Sequence, residues 1–257
     1  MPESEGTELW LIIICHYENP KLIEHKYLDY LSNINRMLIM KTKTEQLNSL
    51  FKKWEEKVPE YKYKFVKDGI INEQLYNSAS KKILFITKEP NDPKQEESWD
   101  FREWWKTGLK YAFSYRIAEW SYGLLNNFPK YDEIWSKNNL AHDAIQYIAF
   151  MNIKKSGGTG NSEFNNMLEH IKQNFSFIHR QIEIIEPEII ITGTSRDDLR
   201  NELFPNLVWT SSGYDRDIAK FKQSKVIDFY HPSSRTPPAA SYSLLQNIVG
   251  SQAFIAL

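Results

Sequence analysis

The chain has 257 residues, with 32 Lys and Arg against 33 Asp and Glu and a single Cys. That length, with a hydrophobic content of 41%, suits one large domain or one domain with an extension, and it excludes wholesale disorder. The lone Cys15 excludes an internal disulfide, a four-cysteine zinc site and a four-cysteine iron–sulfur cluster.

The apolar run from Leu9 to Cys15 is too short to span a bilayer. The acidic start Met1-Pro2-Glu3-Ser4-Glu5 lacks the basic character of a secretory signal, so a cytoplasmic location without a membrane partner is expected. Leu22, Ile23, Tyr27, Leu28, Leu31 and Ile34 make one helical face, and Leu47, Leu50, Phe51, Trp54 and Val58 make another. Thr42 and Glu45 have the spacing of a capping box for the second helix. Residues 36–68 hold nine Lys and Arg against five Asp and Glu, a local basic excess in a chain of net charge −1. Residues 1–80 are therefore expected to form a helical N-terminal extension.

From residue 81 to 257 the texture alternates between strand and helix. Lys82 to Thr87 is an apolar run ending in a polar loop, the pattern of a buried parallel strand. A long helical stretch with Phe101, Trp104, Trp105, Leu109, Ile117, Trp120 and Leu124 follows. Ile145 to Ile153 predicts a second strand, running into the Gly-rich loop from Lys154 to Gly160. A helix is expected from about Ser162 to Glu186, ended by Pro187, then a third strand from Glu188 to Gly193 and a fourth from Val226 to Tyr230. A last helix begins near Ala239. This alternation predicts an α/β domain, a three-layer sandwich around a central, mainly parallel four-stranded sheet. Ligands of such sheets sit outside the carboxyl ends of the strands, where the polar clusters 88–92, 152–160, 193–196 and 231–235 fall.

Three of those clusters carry a resemblance. Thr87-Lys88-Glu89-Pro90-Asn91-Asp92, Phe150-Met151-Asn152-Ile153 and His231-Pro232-Ser233-Ser234 resemble, in order and position, the loops of the uracil-DNA glycosylase superfamily. Gln181 to Thr194 is similar to that family's helix and third strand. The resemblance implies a divergent DNA glycosylase that flips a base out and hydrolyses its N-glycosidic bond, with DNA as partner and no cofactor. The cysteine count sets it apart from the iron–sulfur branches.

Breaking that bond builds positive charge on the sugar and negative charge on the leaving base, so an anion near the sugar and donors toward the base are needed. By the resemblance Glu89 takes the catalytic carboxylate's place, stabilising the sugar and orienting water, with Asp92 as second candidate. Asn152 reads the base edge, and His231 donates to the base oxygen. Asn91 stands where the strict uracil enzymes, with Gly-Gln-Asp-Pro-Tyr-His, have a Tyr that walls off C5. The smaller residue implies that a 5-substituted pyrimidine is accepted ahead of plain uracil, as in modified phage DNA, where the activity would serve defence. Phe101 and Phe113 are candidates to stack on the base, beside Trp99, Trp104 and Trp105. Lys88, Lys154, Lys155, Ser233, Ser234, Arg235 and Arg196 are candidates for DNA contact, with Arg235 as a wedge.

Each residue also has a plainer reading: a loop carboxylate capping a turn, a strand-end Asn satisfying backbone, core aromatics, a surface Gly-rich turn. The alternative function is a non-catalytic nucleic-acid binder on the same fold. A zinc hydrolase is disfavoured because His16, His25, His142, His170, His179 and His231 show neither His-x-His nor His-Glu-x-x-His spacing. The Gly-rich loop lacks the Gly-Lys-Ser/Thr ending of a nucleotide-binding loop. A Schiff-base lyase using Lys88 would need a desolvated amine.

Overall fold

The computed structural model describes residues 41–135, 140–158 and 164–257. The run from Leu9 to Cys15 and the helix expected over Leu22 to Ile34 lie outside them.

The first described helix, α1 (Lys43–Lys57), buries Leu47, Leu50, Phe51 and Trp54 at the spacing expected. Its first turn is capped from a distance, as the Glu73 carboxylate accepts the N–H groups of Lys43 and Thr44 at 2.7 and 2.8 Å. Short strands β1 (Val66–Lys67) and β2 (Gly69–Ile70) and helix α2 (Glu73–Ser78) lead to β3 (Ile83–Thr87), buried along its whole length. Next come β4 (Trp99–Asp100), α3 (Phe101–Lys106), α4 (Ala112–Leu125), α5 (Leu140–Ala144) and β5 (Ala149–Asn152). The long helix α6 (Phe164–Ile185) precedes β6 (Ile189–Thr192) and α7 (Asp197–Leu203). Strands β7 (Thr210–Ser211), β8 (Asp217–Phe221) and β9 (Ser224–Asp228) are followed by α8 (Pro238–Gly250) and α9 (Gln252–Ala256).

The main sheet has seven strands in the order β2-β5-β3-β6-β9-β8-β7. The four predicted strands are its parallel centre, β5-β3-β6-β9, and β2, β8 and β7 extend it antiparallel at the two edges. The sheet is thus mainly parallel at its centre but larger than four strands. Side chains alternate across it. Leu84, Ile86, Met151, Ile190 and Val226 join the core under α1, α6 and α7, while Ile83, Phe85, Phe150, Ile191 and Ile227 join that under α4 and α8. Helices therefore cover both faces.

Two departures from the sequence pattern have local causes. The helical stretch from Phe101 to Leu124 is broken between α3 and α4, where Gly108 takes φ +96°, a backbone open to glycine without strain. The texture change near residue 80 marks the start of the parallel strands and not an edge of packing: one compact unit runs from Lys43 to Leu257. Within it, Trp54 of α1 stacks on Phe177 of α6 (centroids 5.2 Å, planes 9° apart), and its Nε1 donates to Asn174 at 2.8 Å. Among the described residues no helix is long and apolar enough to cross a membrane.

Candidate functional site

A cavity of about 820 Å³ opens at the carboxyl ends of the central strands. Sheet register builds its floor. Thr87 and Asn152 are parallel partners at the ends of β3 and β5, and the Thr87 hydroxyl donates to Asn152 Oδ1 at 2.7 Å. Asn152 is 1% exposed, and its Nδ2 has no hydrogen-bond partner among the described residues although it belongs to a side chain lining the cavity. A buried amide donor left unpaired costs about 1–3 kcal/mol, so this Nδ2 is suited to pair with a water or with a ligand acceptor.

The backbone of Asn152 is clamped from below. Its N–H donates to Asp68 Oδ2 at 2.8 Å, and its carbonyl accepts from Lys155 Nζ at 2.6 Å. Lys155 and Asp68, both fully buried, pair at 2.6 Å, and Gln181 Nε2 donates to the same carboxylate at 2.7 Å. Burial pushes the Lys155 ammonium below its ordinary value, and Asp68 opposes that. The Lys155 N–H continues the network to the Tyr61 hydroxyl at 2.9 Å, which meets His170 Nε2 at 3.0 Å. Burial, followed by the charges of Lys154 and Lys155, brings His170 down to about 4.

Glu89 enters from the loop after β3. Its carboxylate pairs with Lys154 Nζ at 3.2 Å and lies against Gly158, where an added Cβ would collide with it. The Gly158 N–H donates to the Pro90 carbonyl at 2.9 Å, and Asn91 bridges to Gly158 through the backbone. Gln95 ties the neighbouring segments together: its Oε1 accepts from Gly157 at 2.6 Å and its Nε2 donates to the Lys64 carbonyl at 3.0 Å.

His231 arrives from the far side, after β9, although β6 lies between β9 and β3. The crossing depends on Gly193 at the end of β6, where a Cβ would stand 3.3 Å from His231 Cα and Pro232 Cδ. The Ser233 N–H donates to His231 Nδ1 at 3.1 Å, so Nδ1 holds a lone pair and the ring proton sits on Nε2. Burial, assisted by Lys88, lowers its pKa to about 4, so the imidazole is a neutral donor at physiological pH. Phe113 lies 6.2 Å from the His231 ring and 5.5 Å from Phe150, while Phe101 packs 4.9 Å from Phe150. Both phenylalanines line the cavity.

Compared with known protein families and with curated proteins, the chain matches none.

Ten of the residues singled out from sequence line one cavity: Glu89, Asn91, Asp92, Trp99, Phe101, Trp104, Phe113, Asn152, His231 and Ser233. The residues expected to touch DNA divide. Lys155 is a correction, because its ammonium is enclosed by Asp68 and the Asn152 carbonyl and cannot reach a phosphate. Lys154 is partly exposed but engaged with Glu89. Arg196 lies outside the lining, with its guanidinium 3.7 Å from the Phe164 ring and 3.5 Å from Asp198. Lys88, Ser234 and Arg235 adjoin the cavity in sequence without lining it. Trp105 is core, fully buried.

Sequence reasoning passed over Asp68, Gln181 and Gln95, which hold the site together, and it marked Gly158 only as part of the Gly-rich loop. Thr87 alone left a signal, as the first polar residue after an apolar run. Asp68, Gln181 and Gln95 act through contacts of 31 to 113 residues' separation, which no local pattern marks.

Proposed function

We propose that the protein is a DNA glycosylase, a divergent relative of the uracil-DNA glycosylase superfamily, that removes a pyrimidine by hydrolysis. The observation carrying this reading is the convergence on one cavity of three groups from three strand ends. They are Glu89 with its carboxylate, Asn152, whose Nδ2 has no hydrogen-bond partner among the described residues, and His231, whose neutral ring carries its proton on Nε2.

Each supplies what bond cleavage needs. Positive charge developing on the sugar is stabilised by the Glu89 carboxylate, which also orients or deprotonates the attacking water. Negative charge developing on the base oxygens is met by the Asn152 amide and the His231 imidazole, donors fixed before reaction by Thr87 and by the Ser233 N–H. Phe101 and Phe113 give the extruded ring an apolar wall. The exposed Asn91, in place of a bulky aromatic, leaves the C5 side of the pyrimidine open, which favours a 5-substituted base such as those of modified phage DNA.

The test is mass spectrometry of bases released from DNA containing uracil, 5-hydroxymethylcytosine or glucosylated cytosine. Release from at least one is expected, with Glu89→Gln lowering turnover about 100-fold or more while DNA binding persists. Binding without release from any of these DNAs would leave a nucleic-acid binder and sink the catalytic reading.

A further inference from the structure

The base-reading groups supply only part of the lining of this cavity. At about 820 Å³ it matches sites for drug-sized ligands, well beyond one pyrimidine ring. The rest of the lining has a different chemistry, for it includes the aromatic residues Trp99, Trp104 and Tyr111 and the acidic residues Asp92, Glu96 and Glu97. Trp104 and Tyr111 lie parallel, their planes 1° apart and centroids 6.4 Å apart, and Tyr111 is 66% exposed. Large aromatic faces left open to water beside a cavity mark a contact surface. Carboxylates accept hydrogen bonds and donate none.

We propose that this aromatic and acidic part of the lining is a second subsite for the substituent on the target base, and that the substituent is rich in hydrogen-bond donors, its body resting on Trp104 and Tyr111. The assignment rests on the glycosylase reading. The buried Asn152 Nδ2, without a hydrogen-bond partner among the described residues and on a side chain lining the same cavity, is the donor that would hold the base. With the base held there and the Asn91 side open, a group on C5 is the part of the substrate that extends toward the carboxylates. Phosphate is the wrong chemistry for this part of the lining, since it would face Asp92, Glu96 and Glu97, with Lys94 the one Lys or Arg in the lining among the described residues. Sugar hydroxyls and an alkylammonium both supply donors. The ammonium would add attraction to the aromatic faces.

Trp99 and Trp104 supply an intrinsic fluorescence signal for binding. Single-stranded oligonucleotides carrying one thymine, 5-propynyluracil, 5-aminomethyluracil, 5-hydroxymethylcytosine or glucosylated 5-hydroxymethylcytosine are titrated against the full chain, and base release is measured on the same set. Binding about tenfold tighter is expected for a donor-bearing substituent than for the apolar propynyl group, a gap that shrinks severalfold in the Glu96→Gln/Glu97→Gln variant. The ratio of substituted to unsubstituted base is the readout, so a general loss of fold lowers both and leaves it unchanged. The aminomethyl and glucosyl arms separate the two donor sources. Equal affinity for propynyl and donor-bearing bases overturns the subsite, as does a ratio unmoved in a double variant that still binds the thymine oligonucleotide as tightly as the unsubstituted protein. Donor preference without release keeps the subsite and rejects the glycosylase; release without preference does the reverse.

Discussion

Asn152 is held at three points: backbone N–H on Asp68, carbonyl on Lys155, and side-chain Oδ1 under the Thr87 hydroxyl. Only Nδ2 is left for a ligand. Asn152→Ala should therefore lower base release about 100-fold while changing the melting temperature little, because the backbone clamp survives. Comparing single-turnover rates with thermal melts checks this, and an unchanged rate would remove Asn152 from the site. His231 and His170 make a second prediction at this scale. Both are lowered to about 4 in the fold from an ordinary value of 6.5, chiefly by burial. The unfolded chain then binds more protons below pH 6.5, so the stability due to the neutral rings is complete above that pH and lost as pH falls toward 4. Denaturation midpoints should fall between pH 6.5 and 4, and His231→Gln should flatten part of that slope. A midpoint unchanged over this window would contradict the burial argument.

Among the elements, the predicted strands were legible because they are buried on both faces: the Ile83 to Thr87 and Ile189 to Thr192 runs have no polar interruption. Their polar ends marked the site for the same reason, since hydrophilic residues after such a run have to leave the core. The antiparallel edge was not legible. Phe221 pairs with Ser224 around Lys222-Gln223, a two-residue turn in which Lys222 takes φ +53° without the Asn-Gly or Gly signal such hairpins usually carry. The β1 and β2 strands are two residues each, too short for any periodicity to show. The role of Lys155 was hidden as well, because a lysine beside glycines reads as a surface phosphate contact, and only the fold brings Asp68 to it. Lys155→Met strands a buried carboxylate and should cost about 3–5 kcal/mol, measured by chemical denaturation. Gly158→Ala acts at the same loop with a different signature. Its methyl group would displace the Glu89 carboxylate, so catalysis should fall at least tenfold while the denaturation midpoint moves little. Full activity in Gly158→Ala would show that Glu89 tolerates another position.

For the whole molecule, near-neutral net charge confines any affinity for DNA to local surfaces. Exposed Lys62 and Lys64 flank Tyr63 on the segment that Gln95 and Ser98 tie to the cavity wall, through the Lys64 carbonyl and the Phe65 N–H. Replacing both lysines with Gln should weaken DNA binding and lower the slope of log K against log salt by about one per lost contact. An unchanged slope would move the phosphate path elsewhere.

The crossing of His231 over Gly193 bears also on the order in which the chain is made. Thr87 and Asn152 meet across 65 residues, and the loop that follows His231 is pinned by Arg116 to the Thr236 carbonyl across 120. Contacts this distant in sequence form late in folding and late in synthesis. The growing polypeptide therefore carries an unfinished pocket until β9 and the His231 loop have emerged, and its last strand completes the cavity that its first parallel strand began.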